Sequence, residues 1–196
     1  MFEHSLKNAY IGEVYEYSYT FKWKTAAEIW NTWTLLTWTL QTNSNWVCGS
    51  SSTDCRIKVD IPSLANARKI VVTHTVVVNT NASAYNAAYS GIGVWTWWGS
   101  WHTIYKVFGS GYNGMSVEAA GINWNVVGNA TAWETYIPTT TIDLVNKTVI
   151  GTMSWFNNST ISLTDADVTT IRNYTYLVVY VSVNLSAVSD VSIIIE

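Results

Sequence analysis

Two carboxylates set among tryptophans are the residues of this chain best placed for catalysis. Glu118 and Glu134 each fall in a stretch that reads as strand, with Trp124 and Trp133 close by in sequence. β-Sandwich glycoside hydrolases place two carboxylates across a cleft, one as acid and the other as nucleophile or base, beside aromatic rings that stack on sugar. A lone Glu is also an ordinary decoration of a solvated strand face, and no extended motif surrounds either residue. The expectation is therefore that the protein is not an enzyme, with Glu118 and Glu134 as the fallback pair. The run W-T-W-W-G-S-W at 95–101 offers Trp95, Trp97, Trp98 and Trp101 as a sugar-stacking platform. It serves equally as core or as a subunit contact, because aromatics are enriched at interfaces.

Metal and cofactor chemistry finds no support. His4, His74 and His102 lie far apart and in no ligand spacing, and Asp165 and Asp167 read as residues that start a helix. Neither a Ser-His-Asp set nor a phosphate-binding glycine loop is present. Cys48 and Cys55 bracket G-S-S-S-T-D, six small or polar residues that close easily into a loop. A local disulfide is expected there, in keeping with an extracellular setting. Sequons stand at Asn81, Asn129, Asn146, Asn157, Asn158, Asn173 and Asn184. Several fall at predicted turns or strand ends, where N-linked glycan is accommodated if the host glycosylates. Asn157 and Asn158 overlap.

The element that organises the chain is V-Y-E-Y-S-Y-T-F-K-W-K, from Val14 to Lys24. Tyr15, Tyr17, Tyr19, Phe21 and Trp23 occupy alternate positions, and on a β-strand alternate side chains share one face. Each aromatic buries roughly 150–250 Å², so the ladder needs a sheet face in its own subunit or in a neighbour. The 196 residues are enough for one large domain. Charged residues make up 12 % and the net charge is −3, which leaves Thr, Ser and Asn to form the polar surface. That balance gives no support to a nucleic-acid or anionic-membrane partner. No apolar run is long enough for a membrane span, and the start M-F-E-H-S-L-K-N lacks the apolar core of a signal peptide.

Dominance of β-branched and aromatic residues predicts an all-β fold. The expected architecture is a single β-sandwich, jelly-roll or Ig-like, of about ten or more strands. Residues 25–28 read as a turn, and Ile29–Gln41 as one or two strands with a bulge at Leu35–Leu36. Strands are expected at Arg56–Ile61, Lys69–Asn79, Trp101–Phe108, Met115–Val127, Thr131–Ile137, Tyr176–Val183 and Val188–Ile195, with a hairpin across V-N-K-T at 145–148. One short helix is expected near 164–172, where Thr164 and Asp167 resemble a capping box.

The alternating N-terminal strand, the Thr-, Asn- and Val-rich strands and the sequons resemble, in type, the extracellular filament subunits of thermophilic archaea. These are the thin threads and bundling pili built from single β-sandwich domains. The resemblance spans the chain by composition and strand pattern. It implies donor-strand complementation: residues 1–24 form an N-terminal strand segment donated to a neighbouring subunit, and 25–196 form the body. Main-chain hydrogen bonds would complete the acceptor sheet while the ladder fills pockets, and a head-to-tail contact that does not close grows a homopolymer. Residues 1–13 and the C-terminal V-S-I-I-I-E are alternative donors. If Met1 is the true start, the same idea becomes a structural protein of an archaeal virion. Low charge suits an acidic medium, where carboxylates protonate and ion pairs fail. The expected role is thus a non-enzymatic subunit at a cell or virion surface. A carbohydrate-binding or carbohydrate-cleaving β-sandwich that meets surface polysaccharide is the alternative from another class.

Overall fold

A computed structural model describes residues 7–8, 13–37, 40–42, 45, 47–48, 55–78, 88–93, 115–119, 123–128, 134–153, 158–181 and 186–196. Within them the chain runs β1 (Lys7–Asn8), β2 (Glu13–Thr20), α1 (Ala26–Trp30), β3 (Thr34–Thr37), β4 (Gln41–Thr42), β5 (Val47–Cys48), β6 (Cys55–Asp60) and β7 (Lys69–Val78). It continues with β8 (Ala88–Gly93), β9 (Met115–Ala119), β10 (Asn123–Gly128), β11 (Thr135–Tyr136), β12 (Thr139–Asp143), β13 (Thr148–Thr152), β14 (Ser159–Ser162), α2 (Asp165–Arg172), β15 (Tyr176–Val181) and β16 (Ser186–Ile195).

The fold is an all-β sandwich of two antiparallel sheets. The larger has the order β1-β2-β16-β7-β12-β13-β14, with β11 on β7 and the β4–β5 pair joined to β16. The smaller is β3-β6-β15-β8, and β9 and β10 form a separate hairpin. The sheets meet where β7 and β16 lie against β8 and β15. Strand alternation explains the core: Ile70, Val72 and Val76 of β7 point inward, as do Val191, Ile193 and Ile195 of β16, Ile142 of β12 and Val149 of β13. Leu177, Val179 and Val181 of β15 and Ile57 of β6 close the layer from the other side. His74 shares this inward parity and is buried with them.

The aromatic ladder lies on the same core. Tyr17 and Phe21 are buried, and Tyr15 and Tyr19 pack against them at the sheet edge. Their common neighbour is Trp33, whose ring centroid is 6.3 Å from Tyr17, 5.7 Å from Tyr19 and 5.4 Å from Phe21. Such tilted and edge-on pairs suit the ring quadrupoles. Burial pushes the phenol of Tyr17 far above its ordinary value. The ladder strand β2 pairs antiparallel with β16 of its own chain, Tyr17 opposite Ile193 and Tyr15 opposite Ile195.

Trp23 departs from the ladder. The strand ends at Thr20, the Lys24 N–H donates to the Phe21 carbonyl at 3.3 Å, and Trp23 takes φ 62° at the third position of that turn. Its indole is 78 % exposed instead of sharing the inner face.

A helix also replaces the expected turn and strand start at 25–30. Thr25 and Glu28 make a reciprocal capping box: the Thr25 hydroxyl accepts from Glu28 N–H, and the Glu28 carboxylate accepts from Thr25 N–H at 2.8 Å. Ile29 then faces the core, and strand resumes only at Thr34. The bulge expected at Leu35–Leu36 is present, as a register shift against β6 between Leu35 and Thr37. Met115–Val127, read as one strand, folds back on itself as β9 and β10, with Glu118 opposite Trp124. The V-N-K-T hairpin forms between β12 and β13, and the Thr164–Asp167 capping box starts α2. The stretch read as a strand at 101–108 lies outside the described residues.

Candidate functional site

The outer face of the large sheet carries a depression of about 340 Å³ lined by Ser18, Thr20, Thr73, Thr75, Asp190 and Ser192, together with Tyr19, His74 and Val191. Strand register builds it. Thr20, Asp190 and Thr75 stand in one row across β2, β16 and β7, and Ser18, Ser192 and Thr73 in the next. The only ionisable side chain among these six is the Asp190 carboxylate; the other five carry hydroxyls.

A bulge positions that carboxylate. The β16–β7 register shifts between Val188 and Asp190, so Ser189 is the extra residue, and bulges re-aim the side chains that follow them. The buried Ser189 hydroxyl donates to Asp190 Oδ2 at 2.7 Å, and its carbonyl accepts from Phe21 N–H at 2.8 Å. The Lys22 ammonium reaches the same carboxylate oxygen at 2.9 Å. Burial pushes the Asp190 carboxyl up, but hydrogen bonds from Ser189, Lys22 and Thr20, with the Lys22 charge, outweigh it and hold the group below its ordinary range. The carboxylate that lines the depression is therefore charged and neutralised by the Lys22 ammonium, and hydroxyls ring it. The turn that holds Lys22 also holds Trp23, whose indole is exposed. A tryptophan with positive φ is uncommon and strained, and such strain clusters at functional sites.

The residues singled out by sequence fall elsewhere. Glu134 is exposed, and its carboxylate accepts the Tyr136 hydroxyl at 2.7 Å. Glu118 lies on β9; its side chain and those of Trp124 and Trp133 are outside the described residues, as are Trp95, Trp97, Trp98, Trp101, His4 and His102. Cys55 is buried at the start of β6, while Cys48 lies on β5 opposite Gln41 with its side chain outside the described residues, and the expected disulfide with it. Of the sequons, Asn146, Asn158 and Asn173 are exposed. Asn146 donates its side-chain amide to Asp143 at 2.7 Å, and Asn173 donates its own to the Thr169 carbonyl at 3.1 Å. Asn81, Asn129, Asn157 and Asn184 lie outside the described residues. Among the described residues no cluster of three or more His, Cys, Asp or Glu could hold a metal ion, and no helix is long and apolar enough to cross a membrane.

Sequence reasoning missed Asp190, Ser192 and Thr73 as site residues. The available signal was the polar half of the ladder, Ser18, Thr20 and Lys22, which shares a face by the same alternation that aligns the aromatics.

No protein-family model matches the chain, and no curated protein does. Solved structures do. The winged bean acidic lectin complexed with methyl-α-D-galactose superposes with a TM-score of 0.64 at 10 % identity, over 94 % of this chain and 99 % of that one. Peanut lectin with a nine-residue peptide gives 0.59 at 11 % identity, over 94 % and 98 %. The globular domain of T. cruzi calreticulin gives 0.58 at 11 % identity, over 82 % of each chain. At such identities the likeness is one of fold, and the fold is a lectin-like β-sandwich.

Proposed function

We propose that this chain is a carbohydrate-recognition module that binds sugar without cleaving it and works outside the cell, at a cell or virion surface. The observation that carries the reading is the Asp190 carboxylate, paired with Lys22, in a hydroxyl-lined depression, with the strained, exposed Trp23 next to Lys22 in sequence. A sugar offers vicinal hydroxyls that donate and accept at once. Asp190 accepts from them, Lys22 donates to them, and the indole suits the apolar face of a pyranose. The lectin-like fold supports the same class, as does the methyl-α-D-galactose held by the winged bean lectin. N-linked glycan on the exposed sequons would keep so uncharged a surface soluble.

Titration of neutral mono- and oligosaccharides into the chain by calorimetry tests it. Saturable binding that Asp190→Asn abolishes supports the reading; no binding to any of them overturns it.

A second reading, a filament subunit assembled by strand exchange, is favoured by one observation. β2 is held between the two-residue β1 and β16, so its withdrawal opens one side of β16 to the same strand of another copy. Deletion of residues 1–24 should then leave a chain that no longer polymerises and that takes up a synthetic peptide of residues 13–24. A truncated chain that still assembles would remove this reading.

A further inference from the structure

Resting on that reading, we infer that the ligand is an extended neutral oligosaccharide lying across the strands, not a single terminal sugar. The register places Ser18, Ser192, Thr73, Thr139 and Thr152 in one transverse row over β2, β16, β7, β12 and β13. All five are hydroxyl residues that reach solvent. Thr73 and Thr139 confirm the alignment, with hydroxyl oxygens 3.0 Å apart. At about 4.8 Å per strand the row runs roughly 19 Å, well beyond one sugar ring. Its first three members line the Asp190 depression, and Thr139 and Thr152 carry the same chemistry away from it.

The neighbouring outer row, Glu16, Ile194, Val71, Thr141, Ile150 and Thr160, sets aliphatic side chains beside the hydroxyls. Ile194, Val71 and Ile150 are half-buried and offer a low apolar strip. A chain of sugars presents this pairing, with C–H faces alternating with hydroxyl edges. The hydroxyl row holds no charge, and Asp190 is already neutralised by Lys22. Among the described residues, uronate, sulfate or phosphate groups therefore find no unpaired cation along it, and the ligand class is neutral.

The test is calorimetric titration of glucan, mannan and galactan oligomers of one to six units into the full chain, its Asp190→Asn variant, Thr139→Val/Thr152→Val, and Thr139→Ser/Thr152→Ser. The expected result is affinity that rises at least tenfold from monomer to tetramer. The double Val variant loses that gain while still binding the monomer, and the double Ser variant keeps it. A monomer that binds as tightly as the tetramer, or a length gain that survives in the double Val variant, overturns the extended ligand and leaves the Asp190 site standing. No binding by the unmodified chain, or full binding by Asp190→Asn, removes the site itself and this inference with it.

Discussion

The Lys22 ammonium lies 2.9 Å from Asp190 Oδ2 and ties the turn that ends β2 to the bulge in β16. The two side chains are 47 % and 35 % exposed, and exposed pairs contribute only about 0–1 kcal/mol. The pair therefore contributes little to holding the sheet together, and on the proposed reading its role is in binding. Asp190→Asn should lower stability by less than about 1 kcal/mol in urea melts while removing sugar binding. A large loss of stability would instead make Asp190 a structural residue.

The same carboxylate sets a pH dependence. Its folded value lies below the ordinary one, so the charged form is favoured by folding. Whatever stability and affinity it contributes are fully present above the unfolded value, about 3.9, and are lost as pH falls through the lower folded value. Binding measured down an acid series should therefore persist at about pH 4 and fail below it. Loss centred above about pH 5 would point to a group other than Asp190.

Trp23 offers a sharper separation of folding from function. Its φ of 62° belongs to the left-handed region that costs a residue with a Cβ roughly 1–2 kcal/mol, and glycine adopts it freely. The indole gains little in return, being 78 % exposed. Trp23→Gly should raise stability by up to about 1 kcal/mol, since glycine also gains entropy when unfolded. It should weaken sugar binding at the same time, the trade seen where a strained residue serves a site. If both stability and affinity fall, the turn needs the tryptophan for structure.

Much of this architecture is legible in the chain because side-chain alternation is a local property. The inward set of the ladder, Tyr15 to Phe21, follows from spacing alone, as does the V-N-K-T hairpin. Two kinds of feature escape. Thr25–Trp30 lies between stretches rich in strand formers, but Ala26, Ala27 and Glu28 favour helix and the Thr25–Glu28 capping box starts one short helix there. The depression escapes for another reason. Ser18 and Ser192 are neighbours across a strand pair yet stand 174 positions apart in sequence, and pairing register between distant strands leaves no local trace. Ser189 compounds this, because a single extra residue changes which of its successors face outward.

Trp33 is the position where the core reading can be broken. It follows α1, is 2 % exposed, and touches three rings of the ladder strand. Replacement by alanine removes those contacts and leaves a cavity, for an expected loss of about 3–5 kcal/mol. Thr25→Ala alters the same corner without touching the rings: it deletes only the helix cap, for an expected loss near 1 kcal/mol. Equilibrium urea unfolding of both variants, followed by tryptophan fluorescence and far-ultraviolet circular dichroism, ranks them. Equal losses would mean that α1 holds the corner and the aromatic cluster merely covers it. A loss several times larger for Trp33→Ala would mean that β2 is held chiefly by its rings. Withdrawing that strand for exchange with another copy would then cost most of the stability of the fold, so assembly by strand exchange would need the partner's strand in place as the first one leaves.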